Sequence, residues 1–453
     1  TPFAGKFDGQ GHTINGVYLD TTTKMSGLFA ATTEDAKLIN FRIENSYFTS
    51  TNKELGSVVG NFGGTIKQEY SDAFVNGADI AAVYAGGLVG LVSKEATFDT
   101  CWFAGKVTVG TNNSDSAGGL IGACNTDTKG TLTIKHCLNS GEIIGRTFLG
   151  GLIGDVRNTT SVTIEDCLNT GSITKASGKL AGGFIGYIVA NTTIKNGYWY
   201  NQHNLWGDYH TSYEPTRSNI GKFGATDCLG ENGYKLNLLD FNNYWMAKHN
   251  SSPILKHFAD GFVDYTLDKD NKRVYSIKTV EDLYDFALLS RKTDFKDCII
   301  KLDAKKLQLN NGYATKNGWA ENDNPTKWIP IGSADMPFAG TFDGQGNIIS
   351  GVYLDTTSKT AGFFAATTAD AKLKDFRIEN SYFKTTSTEL GSVAGSFGGT
   401  MEKVYSDAIV VGGDLASIRV GGLIGLVSKK ATVDTCWFAG DVTVGISNSD
   451  TAG

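Results

Sequence analysis

Proline and methionine are scarce in this 453-residue chain, at 6 and 4 residues, and no run of about 18 apolar residues occurs anywhere in it. Without such a run no segment can cross a bilayer as a helix. The opening TPFAGKFDGQ also lacks the charged and apolar regions of a signal peptide. An excess of basic charge is missing too. Lys plus Arg number 41 against 47 Asp plus Glu, for a formal charge of −6, and no basic block could follow a phosphate backbone, so nucleic acid is excluded as a partner. The seven cysteines are odd in number and contain no CxxC pair, which argues against a zinc ribbon and against a dense disulfide framework. What is abundant is glycine, at 56 residues, with 25 Phe and 18 Tyr, a mixture that favours short strands joined by glycine turns.

Two repeats are nested in the chain. Residues 1–118 match residues 336–453 at a constant offset of 335 without insertion or deletion, and 81 of the 118 positions are identical. Inside this long unit runs a shorter period: GSVVG at Gly56, GGLVG at Gly86, GGLIG at Gly118, GGLIG at Gly150 and GGFIG at Gly182, in steps of 30 and then 32 residues. SGLFA at Ser26 extends the series backward, and GGLIG at Gly421 restarts it. A period of this size means a solenoid or an array of small units. Because the chain opens and closes in mid-pattern, it reads as an excerpt of something longer.

Each short unit carries three strand-like pieces, such as GGLIGAC, TLTIKHCLN and GEIIG, each alternating apolar and polar residues as a half-buried strand does. Three strands per 30–32 residues fit one coil of a parallel β-helix, in which equivalent residues stack. One column is expected to hold Leu28, Val58, Leu88, Leu120, Leu152 and Phe184, and the adjoining one Phe29, Val59, Val89, Ile121, Ile153 and Ile185, with at least one of the two facing the core. A third holds Ile43, Phe98, Ile134, Ile164 and Ile194, and a fourth Val107, Ile143 and Ile173. Three residues beyond the isoleucine column come Ser46, Cys101, Cys137, Cys167 and Gly197, all small, which reads as a packing ladder of buried free thiols at a corner. Asn139 and Asn169, each two residues before a glycine, are expected to support a left-handed turn.

The period fades after about Tyr200. TVEDLYDFALLSRK then gives the strongest helix signal, with Thr279 as N-cap, Asp282 at the third helical position, and Val280, Leu283, Phe286 and Ala287 on one face. Asp8–Gly9 and Asp343–Gly344 read as hairpin-like turns. The expected organisation is all-β: a parallel β-solenoid over 1–205, a cap or linker over 206–275, a helix-containing lead-in over 276–327, and a second solenoid over 328–453.

GGLIG followed by TIEDCLNTGSI, and the stretch WIPIGSADMPFAGTFDGQGNIISGVY, resemble the GLUG-motif repeats of bacterial cell-surface proteins over about 1–200 and 328–453. Such repeats are similar to those of large adhesin-like proteins and of the non-catalytic part of IgA-cleaving metallopeptidases. The resemblance implies an extracellular solenoid of right-handed coils, and implies no ligand.

The signatures of enzymes are missing. None of the six histidines is followed by Glu, so HExxH is lacking, and neither GxSxG nor a P-loop occurs. Asp99, Lys135, Glu165 and Lys195 alternate in sign on one strand position, as a solvated, self-compensating ladder does. One carboxylate at Asp8 is too few for a calcium loop. Tyr198, Trp199, Tyr200, His203, Trp206 and Tyr209 form the one segment able to hold a sugar or a host protein, the plainer reading being that they close the apolar end of the solenoid. The sequence therefore points to a non-enzymatic surface fibre or adhesin stalk without cofactor or metal, able to self-associate into filaments, with a glycan- or host-protein-binding module using the aromatic patch as the second reading and a β-helix polysaccharide-active enzyme as the third.

Overall fold

Val59, Val89, Ile121, Ile153 and Ile185 lie on successive parallel rungs, each paired directly with the next. The protein is described by a computed structural model covering residues 1–453 apart from 78–81, 111–114, 127–129, 160, 176–179, 201, 205–214, 225–226, 260–264, 321–323, 414–417, 446–450 and 453. Among the described residues its strands stack mostly in parallel as β-solenoid coils, about 13 turns in all. Two compact units divide it, Thr1–Met246 with Ser251–Phe258, and Ala247–Asn250 with Ala259–Gly453.

In the first unit every coil contributes rungs to three parallel sheets. Tyr18–Thr21, Tyr47–Ser50, Phe74–Gly77, Lys106–Thr108, Glu142–Gly145 and Ile173–Lys175 stack in one. Met25–Ser26, Glu54–Gly56, Tyr84–Gly86, Ser116–Gly118, Phe148–Gly150 and Leu180–Gly182 stack in another. The longer strands, such as Val89–Asp99, build the third. The chain leaves Tyr84–Gly86 and enters Val89–Asp99 across Gly87 and Leu88, and this change of sheet lets adjoining residues both face inward. Hence the Leu88, Leu120, Leu152 and Phe184 column and the Val89, Ile121, Ile153 and Ile185 column are both fully buried. The crossing leaves no room for a side chain on the first glycine: a Cβ on Gly118 would sit 2.1 Å from the Ile121 carbonyl oxygen.

Ile134, Ile164 and Ile194 stack as expected, but Ile43 is not in their column. Leu38 and then Ile66 precede Phe98 there, while Ile43 lies opposite Ser71. Ser46 is likewise displaced from the cysteine column, whose place in that coil goes to Phe41 and in the next to Glu69, because Phe41 pairs with Glu69, and Tyr70 with Trp102, which sets Glu69 opposite Cys101. The connection between the two strands changes length from coil to coil, so a fixed offset loses register. The corner itself is made one residue before the cysteines. Asn40, Gln68, Thr100, His136, Asp166, Asn196 and Asn219 occupy matching places and all adopt left-handed φ values between 49° and 59°. Asn139 and Asn169 are not left-handed; they bind within the core instead. Asp8–Gly9 makes no hairpin either. The strand Lys6–Asn15 runs through it with a register shift between Asp8 and His12, and a Cβ on Gly9 would lie 2.3 Å from Cβ of Phe41.

The second unit repeats the register of the first, Phe342, Leu373 and Met401 pairing as Phe7, Leu38 and Ile66 do. Before it come Arg273–Ile277 and Ile299–Leu302, which join Thr341–Ser350 in parallel. Between those two strands lies the helix Val280–Leu289, with Thr279 and Asp282 forming the reciprocal cap that the sequence predicts. Phe286 packs against Phe295, Phe338 and Phe342, and Trp328 stacks on Phe363 at 4.8 Å. Leu283, Phe286 and Ala287 are fully buried. Among the described residues no helix is long and apolar enough to cross a membrane.

Candidate functional site

The aromatic segment lies at the end of the first unit's coils. Trp199 pairs with Asn169, and so continues the column that runs through Ser71, Phe103, Asn139 and Asn169. Its ring lies against Gly183, where a Cβ would meet Cδ1 at 2.0 Å, and its Nε1 donates to the His203 carbonyl at 3.0 Å. Tyr198 donates its hydroxyl proton to Oδ1 of Asn237 at 3.2 Å, and Tyr200 stacks on Phe223 at 6.1 Å. The strand Thr216–Phe223 pairs in parallel along Thr192–Tyr200, leaving Tyr198 and Trp199 less than a tenth exposed. Trp206 and Tyr209 lie outside the described residues.

Cys101, Cys137 and Cys167 are fully buried, and all seven cysteines are free thiols. Burial pushes the Cys101 and Cys167 thiols up, which leaves them poor nucleophiles. At the head of this column the Glu69 carboxyl is wholly buried with neither oxygen hydrogen-bonded. Burial first, and then Cys137, raises it well above the ordinary carboxylate range, so it is held as the neutral acid. In the second unit the same place belongs to Val404. Glu69 escaped the sequence reading because the isoleucine column ran from Ile43 directly to Phe98 and passed over the coil of Ile66, to which Glu69 belongs. Among the described residues no group of three or more His, Cys, Asp or Glu side chains is arranged to hold a metal ion.

The feature least visible in the sequence is a strap made by Asp240–Met246 and Ser251–Phe258, both parts of the first unit. Asp240 organises its start, its Oδ1 accepting the amides of Asn242 and Asn243 at 3.1 Å each. The strap is bound at three points. Asp166 accepts the Asp240 amide and the Trp245 indole N–H, both at 2.9 Å, and Trp245 is fully buried. Burial outweighs these bonds and raises the Asp166 carboxyl. Next, Tyr244 stacks on His136 with ring centroids 3.5 Å apart, while His136 Nδ1 meets Asp99 Oδ1 at 2.9 Å and Lys67 Nζ meets Asp99 Oδ2 at 3.2 Å. Against the upward push of partial burial, His136 and Lys67 bring Asp99 down to about 2. Finally, Phe258 lies against Arg42, Tyr70 and Trp102. The expected alternating column of Asp99, Lys135, Glu165 and Lys195 does form, and beside it Asp99 acquires this second role as a strap support.

Two further polar places remain. Asp155, nearly buried, is bridged by Arg157 at 2.7 Å, whose guanidinium lies over Phe148 and Tyr187. Burial overrides Arg157 and lifts Asp155 to about 6. In the second unit a polar cleft of about 720 Å³ is lined by Lys306, Gln308, Glu379, Asn380 and Asp407. Neither place pairs a nucleophile with a base.

No family model matches the chain. Over 163 residues, 36% of its length, it is 32% identical to Halomucin from Haloquadratum walsbyi, and it spans about 2% of that curated relative. Among solved structures it is similar to a Bacteroides ovatus protein described as a "putative immunoglobulin A1 protease", with a TM-score of 0.43 and 18% identity over 56% of this chain and 77% of that one.

Proposed function

We propose that this chain is a structural region of a cell-surface or secreted protein, built from GLUG-like solenoid repeats and acting as a fibre or adhesin stalk rather than as an enzyme. The observation that carries this reading is the duplication of residues 1–118 at an offset of 335, whose two copies place the same residues on rungs of the same register, Phe342, Leu373 and Met401 repeating Phe7, Leu38 and Ile66. Stacked coils of this kind gain stability from each neighbour, so adding repeats adds reach at little cost in stability. The likeness to Halomucin supports a place outside the cell.

The test is immunogold labelling of intact producing cells with antibodies to the chain, together with stretching of the purified chain by force spectroscopy. Labelling outside the cell and discrete unfolding of two units support the proposal. Labelling confined to the cytoplasm, or turnover of a polysaccharide or peptide library by the purified chain, would overturn it.

A further inference from the structure

The turn Ala247–Asn250 belongs to the second unit and lies on that unit's helix, Val280–Leu289. Consecutive side chains of the turn each find a partner there. Lys248 Nζ binds Asp285 Oδ2. The His249 ring stacks flat on Tyr284, with centroids 3.7 Å apart and planes 3° from parallel, and Asn250 Nδ2 donates to Glu281 Oε1 at 3.0 Å. Glu281, Tyr284 and Asp285 share one face of the helix because they stand three and four residues apart.

The pair of Lys248 and Asp285 differs from the other ion pairs. Its side chains are 24% and 2% exposed, whereas among the described residues every other lysine in an ion pair is at least 37% exposed. Tyr284, itself buried, packs against both His249 and Trp328, so little water reaches this stretch of the helix. Burial raises the Asp285 carboxyl even against the lowering effect of Lys248. A carboxyl so raised readily takes a proton from the ammonium group it faces. That transfer leaves a neutral amine beside a neutral acid, the two forms that condense. An ion pair withdrawn from water recovers little of its desolvation cost, whereas an amide carries no charge at all.

We propose that Lys248 and Asp285 join in an intramolecular amide, a covalent tie between the turn and the helix. Lys248 Nζ attacks Cγ of Asp285, so that the Nζ–Cγ bond forms and the Cγ–Oδ2 bond breaks. Oδ2 leaves as water, carrying one proton from the initial transfer and a second from the attacking nitrogen. No oxidant, cofactor or other reactant enters the balance. The backbone N–H of His249 faces Oδ1 at 3.4 Å, where negative charge develops during the attack. Groups held together in this way react as though at concentrations of about 10⁵ M or more, which favours a condensation that fails between free partners in water. Under load such a tie holds where an ion pair parts.

The experiment takes the whole chain, stored folded at neutral pH and then unfolded in denaturant, and reads its mass and its tryptic peptides by mass spectrometry. Most molecules should weigh one water less than their sequence. Trypsin should leave Lys248 uncut, and the peptide 236–256 should emerge joined to the peptide 279–291. Lys248→Arg keeps a cation for Asp285 but has no amine to condense, so in that variant the joined pair should vanish and the mass should match the sequence. Chains mostly of full sequence mass, cut freely after Lys248, would show an ion pair only and sink the proposal. A joined pair that maps to other residues, or that survives in Lys248→Arg, would sink it too. The first measurement is made on the chain without substitution, so the outcome does not rest on the variant's folding.

Discussion

Asn139 and Asn169 hydrogen-bond to each other inside the first unit's core, Nδ2 of Asn139 donating to Oδ1 of Asn169 at 2.7 Å. Asn169 also takes the Gly171 amide at 3.1 Å and gives its own Nδ2 proton to the Gly183 carbonyl at 2.8 Å. One amide thus joins two coils and satisfies two backbone groups that no water reaches. Asn169→Ala should cost about 2–3 kcal/mol in urea unfolding, because it strands those partners. A loss below about 0.5 kcal/mol would show that the pair is ornamental.

Glu69→Val places the second unit's residue in the first. The folded pKa of Glu69 is raised above its ordinary 4.5, so the folded state keeps a proton that the unfolded chain releases. Stability is therefore lost as pH rises above about 4.5, and the variant should remove that loss. Urea melts at pH 4 and pH 7 should show a larger gain for the variant at pH 7. An equal effect at both would contradict a buried neutral acid.

Asp155 gives a second pH signature with a defined window. Its carboxyl is lifted from 3.8 to about 6, so its stabilising contribution is full below about 3.8 and is lost as pH rises to about 6. Asp155→Asn should flatten the stability profile across that window by roughly 2 kcal/mol. A profile unchanged in shape would place the carboxyl outside the buried pair.

Gly118→Ala tests the sheet crossing. A methyl group 2.1 Å from the Ile121 carbonyl oxygen and 2.7 Å from the Gly154 amide nitrogen meets rigid backbone on both sides. Loss of about 3 kcal/mol or more, or failure to fold, is expected, and a melting curve like that of the unmodified chain would refute the crossing geometry.

Asp166→Gly removes both acceptors that anchor the strap while keeping the left-handed backbone that glycine tolerates. Hydrogen exchange of the amides between Asp240 and Trp245 should speed up by about tenfold, with the solenoid strands unaffected. Unchanged exchange there would mean that Tyr244 and Phe258 hold the strap alone.

The apolar columns through Leu88, Val89 and Ile134 were legible because parallel stacking repeats one residue type at each rung, and the capped helix because Thr279 and Asp282 sit at capping distance. Ile43 and Ser46 were misplaced because connections of unequal length separate strands that pair. The strap was unreadable because Tyr244, Trp245 and Phe258 meet partners far away in the chain, and no local period announces them.

The sequence by itself determined that like residues must stack, since a 30–32-residue period with alternating apolar positions can bury its faces only against copies of itself. Tertiary structure alone decided which neighbours those residues meet: that Glu69 lies among thiols, that Tyr244 covers His136, and that Phe258 lies against Arg42, Tyr70 and Trp102. Such contacts depend on where distant segments return, which chain folding settles and local pattern does not.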